Sequence, residues 1–133
     1  MNVYIFGNQD IKEDDKAIVI AINLKGKIKN VDFIFVKPNE DLPFTNKENV
    51  LIMDTVQEIE EIKIIENKDL DKIILPPRGT AHDFDLGFQL KYLKKLGKLG
   101  EVKIIGLPQK GTINYKTVQS ILRKLVAQDI QGS

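Results

Sequence analysis

Four apolar or aromatic residues, Val3-Tyr4-Ile5-Phe6, stop at Gly7-Asn8. Four of the next seven residues, Asp10, Glu13, Asp14 and Asp15, are acids, and a long apolar segment opens at Ala17. The pattern reads as strand, tight turn, acid cluster and helix, because a β-branched and aromatic run ends at two residues that accept turn geometry. Asp14 or Asp15 is placed to cap the helix, and Gly26 is placed to stop it. Ala17 to Leu24 also carries strand-forming Ile and Val. The preceding acid and the following glycine favour helix.

The rest of the chain repeats this alternation. Val31–Val36 reads as a second strand closed by Pro38, and Val50–Met53 as a third that runs directly into Asp54. Ile62–Ile65 alternates partly, as an edge strand does. Its short connection to the third strand predicts an antiparallel hairpin. Ile73-Ile74-Leu75 leads into Pro76-Pro77-Arg78-Gly79, a loop by composition. From His82 the period turns helical: Leu86, Leu90 and Leu93 form one row, and Phe84, Phe88 and Tyr92 the next. Lys91, Lys94, Lys95 and Lys98 fill the remaining arc as a solvated face. Val102–Ile105 is the last strand, ended by Gly106-Leu107-Pro108. A final helix carries Val118, Ile121, Leu122, Leu125 and Val126 on one stripe, with Thr112 or Asn114 as its cap.

Strands alternating with helices predict a three-layer αβα domain with a mainly parallel sheet, and 133 residues suffice for one such domain, 1–133. Ligands of such sheets bind beyond the carboxyl ends of the strands. A net charge of +1 creates no field that would favour nucleic acid or an acidic membrane surface. The absence of cysteine removes disulfides, thiolate metal sites and cysteine nucleophiles. No apolar run approaches a membrane span and no signal-peptide layout opens the chain, so a cytoplasmic protein is expected. Gly7-Asn8 lacks the further glycines of a phosphate cradle. Serine occurs only at 120 and 133, which leaves no nucleophile elbow. The wettest connection, Lys37 to Asn49, is expected to be a mobile loop near the site.

Three strand–helix junctions carry groups that suit a divalent metal. The first strand leads to Glu13, Asp14 and Asp15, the third to Asp54, and the only histidine, His82, opens the long helix. Two carboxylates offset a metal's charge, and imidazole is a borderline-soft donor. Each residue also has an ordinary reading: an acid after a strand caps a helix, Asp54 caps a turn, and His82 begins a helix.

Phe6-Gly7-Asn8, four residues and then Glu13-Asp14 resembles a signature of the NiFe hydrogenase maturation endopeptidases. Val50-Leu51-Ile52-Met53-Asp54-Thr55-Val56 is similar to that family's apolar strand ending in Asp-Ala. Thr80-Ala81-His82, followed by a leucine-rich helix, is similar to its Ser-x-His helix start, and Val102 to Pro108 to its last strand. The resemblance covers nearly the whole chain. It implies a phosphorylase/hydrolase-like fold of five mixed strands between helices, with the fourth antiparallel. It implies an aspartic-type, nickel-sensing endopeptidase that removes the C-terminal extension of a hydrogenase large-subunit precursor and so activates that enzyme. Asp14, Asp54 and His82 would then be metal ligands, with Asp14 and Asp54 also placed to activate water or a carbonyl. Nickel would come with the precursor, zinc or cadmium could replace it in vitro, and neither nucleic acid nor membrane would be a partner. Asp15-Lys16-Ala17-Ile18 departs from the family's glycine after the acidic pair. A receiver-like metal-binding signalling domain, with a wholly parallel sheet, and a catalytically inactive binding module are the competing readings.

Overall fold

The structure is a computed structural model that describes residues 1–7, 15–37, 49–72 and 86–132. Five strands, β1 (Asn2–Ile5), β2 (Asp32–Phe35), β3 (Val50–Val56), β4 (Lys63–Glu66) and β5 (Val102–Pro108), form one sheet in the order β2-β1-β3-β5-β4. β1 pairs in parallel with β2 and β3, and β3 with β5, whereas β4 lies antiparallel to β5. Among the described residues, three α-helices, α1 (Lys16–Leu24), α2 (Leu86–Lys95) and α3 (Tyr115–Gly132), complete the layers. The three-layer, mixed and mainly parallel architecture expected from the sequence is present. The wholly parallel sheet of a receiver domain is not.

Period-two alternation divides the core between the two faces of the sheet. Val3, Ile5, Leu51, Met53, Ile105 and Leu107 point to one face, where they pack against Ala17, Ile20 and Ala21 of α1 and Val118 and Leu122 of α3. Phe6, Ile52, Val56, Val102 and Ile104 point to the other, against Leu86 and Leu90 of α2 and Leu70 of a short 3₁₀ segment, Asn67–Lys72. β3 is buried along its whole length, which is why its sequence is a continuous apolar run rather than an alternating one. The helical reading of Ala17 to Leu24 holds, and the apolar stripe of α3 faces the sheet. Asn114 caps α3, its Oδ1 accepting from Lys116 N at 2.9 Å. Asp15 occupies the N-cap position of α1 but makes no side-chain cap hydrogen bond. Tyr92, the last of the aromatic row, is 55% exposed.

Three strand expectations need correction. β3 does not stop before Asp54; it continues through Asp54 and Thr55 to Val56. β5 likewise runs through Gly106 to Pro108, because the two strands extend each other by pairing Asp54 with Gly106, Thr55 with Leu107 and Val56 with Pro108. β4 is antiparallel as expected, but its partner is β5 and not β3. Residues 57–62 need only cross about 10 Å, two strand spacings, to leave a slot that β5 later fills. The readings of Lys37–Asn49, Ile73–Leu75 and the Pro76–Gly79 loop fall wholly or mostly outside the described residues.

Two side-chain features fit β4 to β5. Asn67, just past β4, replaces ladder bonds: its Oδ1 accepts from Val102 N at 2.7 Å and its Nδ2 donates to Gly100 O at 2.8 Å. Gly106 leaves the space that β4 needs. A Cβ there would lie 2.9 Å from both Ile65 Cδ1 and Val56 Cγ2 and 3.4 Å from Lys63 O. Val56 is β-branched and rotationally stiff, so it cannot swing aside. Gly106→Ala is therefore expected to destabilise the protein by about 1–3 kcal/mol in urea denaturation. Adding Ile65→Val, which deletes the Cδ1 methyl, should recover part of that loss.

Candidate functional site

The site expected from the sequence lies at the carboxyl edge of the parallel strands, and β3 carries its described member. Asp54 is 2% exposed. Its burial follows from its place in the ladder: Gly106 pairs with it on the β5 side, and Ile52 and Val56 flank it on the α2 face of the sheet. β1 stops short of this level. The last β1–β3 register pair is Ile5 with Met53, and Phe6 N donates to Met53 O at 3.1 Å. Beyond that point β3 runs three residues further, from Asp54 to Val56.

The divergence of β1 shapes the local hydrogen bonding. Backbone amides along a strand alternate between its two flanks, so Thr55 N–H points to the same flank as Met53, towards β1. It donates to Asp54 Oδ1 at 2.8 Å. The side chain of Asp54 thus lies along the β1 flank of β3, just past the end of the β1 ladder. A buried carboxylate is costly unless hydrogen-bonded, and the Thr55 amide supplies one such bond.

Neighbouring elements bring further groups to this edge. α1 connects parallel strands β1 and β2, so its first turn lies at the carboxyl edge, and Lys16 Nζ there donates to Gly111 O at 2.8 Å. That bond fastens the start of α1 to the loop after β5. α2 leads into the amino end of β5, so its own first turn faces the same carboxyl edge. The turn after β3 adds exposed Glu58, Glu60 and Glu61, which the sequence reading passed over. Thr55 was also passed over as a functional candidate. It is fully buried, and its Oγ1 has no hydrogen-bond partner. A polar residue directly behind an acid, inside an otherwise apolar strand, was the available signal.

Of the expected metal set, only Asp54 is described; Asp14 and His82 lie outside the described residues, as does Glu13. Among the described residues no three His, Asp or Glu side chains are grouped to hold a metal. Among them, too, no helix is long and apolar enough to cross a membrane.

The Asp54–Thr55 geometry separates two substitutions. Asp54→Asn keeps an oxygen that can accept from Thr55 N, and its stability should stay within about 1 kcal/mol of wild type. Asp54→Ala leaves that buried amide unpaired and is expected to cost about 1–3 kcal/mol. Thermal and urea unfolding of the two variants measure the difference.

No protein-family model matches the chain, and no curated protein matches it. Solved structures do. A hydrogenase 2 maturation peptidase from a Thaumarchaeota archaeon aligns over 98% of this chain and 98% of its own, at 19% identity and a TM-score of 0.45. The hydrogenase maturating endopeptidase HybD from E. coli aligns over 99% of this chain and 94% of its own, at 12% identity and a TM-score of 0.54. Over nearly its whole length, the chain has the fold of the hydrogenase maturating endopeptidase HybD.

Proposed function

We propose that this protein is an endopeptidase that removes the C-terminal extension of a NiFe hydrogenase large-subunit precursor after nickel insertion. The observation that carries the proposal is Asp54, a buried carboxylate at the carboxyl end of the central strand of a HybD-like fold. The sequence supplies Asp14 two residues before α1 and His82 four residues before α2, and the first turns of both helices face the edge where Asp54 stands.

In this reading Asp14, Asp54 and His82 form an incomplete ligand set. Two carboxylates and an imidazole bind a divalent metal weakly by themselves, and thiolates of the precursor would complete the coordination. Nickel is then part of the substrate, and cleavage depends on its having been loaded. Asp54 and Asp14 would hold the metal or orient a water beside it for attack on the scissile carbonyl. The amide of Thr55 would hold the Asp54 carboxylate in place as a ligand.

The test compares nickel-loaded and nickel-free large-subunit precursors, incubated with the protein and weighed by mass spectrometry. The loaded precursor should lose its extension and the nickel-free one should keep it. Asp14→Ala, His82→Ala and Asp54→Asn should each slow the cut by about a hundredfold or more, with Asp54→Asn serving as the folded control. A loaded precursor that keeps its full mass, or an Asp14→Ala variant that cuts like wild type, overturns the proposal. Binding without cleavage in the wild type would instead identify an inactive binding module.

A further inference from the structure

Backbone amides and carbonyls alternate between the two flanks of a strand, so half of an edge strand's groups face away from the sheet. In β2, Asp32 N and Val36 N donate to Met1 O and Ile5 O at 2.9 and 3.0 Å, so the even-numbered residues face β1. The N–H and C=O of Phe33 and Phe35 therefore face outward, and among the described residues nothing pairs with them. Natural proteins guard such an edge with lysine, proline or a bulge. β2 reads Asp-Phe-Ile-Phe, with one acid at its start and no guard at its centre. The other edge strand, β4, is guarded: exposed Lys63 and Glu66 bracket Ile64 and Ile65.

Partly exposed apolar side chains border the open row. Phe33 packs at the margin of the α1-side core, Phe35 is 39% exposed on the same face, and Ile34 is half-buried on the other. α1 extends this margin. Lys16 bonds to Gly111 O, and Asn23 Nδ2 approaches Tyr115 Oη at 3.5 Å, so that flank of α1 turns towards α3. Ile18 and Ile22 lie on the opposite flank, on the β2 side, and Ile22 is 59% exposed.

The row is complementary to itself. A two-fold axis normal to the sheet and passing beside Ile34 sets Phe33 opposite the partner's Phe35, Ile34 opposite the partner's Ile34, and Asp32 opposite the partner's Val36. Phe33 and the partner's Phe35 then exchange both N–H···O bonds, as do Phe35 and the partner's Phe33, which takes up every outward group of the strand. Aromatic pairs meet on one face and isoleucines on the other, pairings that stabilise antiparallel strands. No like charges are opposed.

We infer that the protein forms an isologous dimer in solution through β2, its two sheets joined antiparallel into one. The inference does not depend on the peptidase reading, and the joint lies on the far side of β1 from Asp54.

The test follows the mass of the full chain by sedimentation velocity as concentration rises, with half-dimerisation expected on the order of 10 µM for so short a joint. Ile34→Lys sets two cations against each other at the axis and should weaken the dimer at least about tenfold. Its unfolding temperature should stay within about 3 °C of wild type, since residue 34 is only half-buried. The chain has no cysteine, so single cysteines report the contact. Opposed Cα atoms of a non-hydrogen-bonded pair are about 4.5 Å apart, within disulfide reach, so Ile34→Cys should link to its own copy under mild oxidation. Ile64→Cys, on the β4 edge, should stay unlinked under the same conditions. A wild type that remains monomeric up to about 200 µM overturns the inference. So does an Ile34→Lys variant that associates like wild type, or an Ile64→Cys variant that links as readily as Ile34→Cys. Should Ile34→Lys fail to fold, the two cysteine variants decide.

Discussion

The pairing of β3 with β5 is the interaction on which the rest of the structure depends. Seven register pairs, from Val50–Val102 to Val56–Pro108, join two strands that are almost wholly buried. Each strand sends alternate side chains into both core layers, so the same ladder anchors α1 and α3 on one face and α2 on the other. Parallel strands gain little from local turns. Their stability comes from apolar burial on both faces, roughly 25 cal/mol per Å² removed from water.

The same ladder frames the candidate site because its neighbour is shorter. β1 ends at Ile5, in register with Met53, three residues before β3 ends. The β3 backbone on that flank then takes its hydrogen bond from within, Thr55 N–H to Asp54 Oδ1. A stagger between adjacent strands thereby leaves a central, otherwise apolar strand carrying a held carboxylate and a buried hydroxyl near its end. Polar groups in such a place weaken the fold, and functional sites are where proteins tolerate that.

The antiparallel edge shows a different constraint. β4 fits beside β5 because Gly106 has no side chain to meet Ile65 and Val56, and because Asn67 closes the ladder with its own amide. Gly106 stands beside Asp54, and Asn67 at the opposite, amino end of β5; both do structural work. The lysines of α2, and Lys98 just beyond it, are likewise surface groups: Lys94 reaches Asn67 O at 3.1 Å and Asp71 at 3.7 Å, and Lys91, Lys95 and Lys98 are exposed.

Much of this was legible in the chain itself, because burial leaves a periodic trace. Apolar runs at Val3–Phe6 and Val50–Met53, and Val102–Ile105 interrupted only by Lys103, marked buried strands, and the Val118–Val126 stripe marked a helix covered on one face. The acid at Asp54 also stood out, since it ends an apolar run. What the chain could not reveal was relative register. Whether Asp54 and Gly106 end their strands or continue them depends on each having the other as partner, a contact across 52 residues of sequence. The insertion of β5 between β3 and β4 is non-local for the same reason. The sequence by itself determined the elements and the residue types at their ends; only the tertiary structure decided that β1 stops short, which is what turns Asp54 from an acid after a strand into a carboxylate held within one.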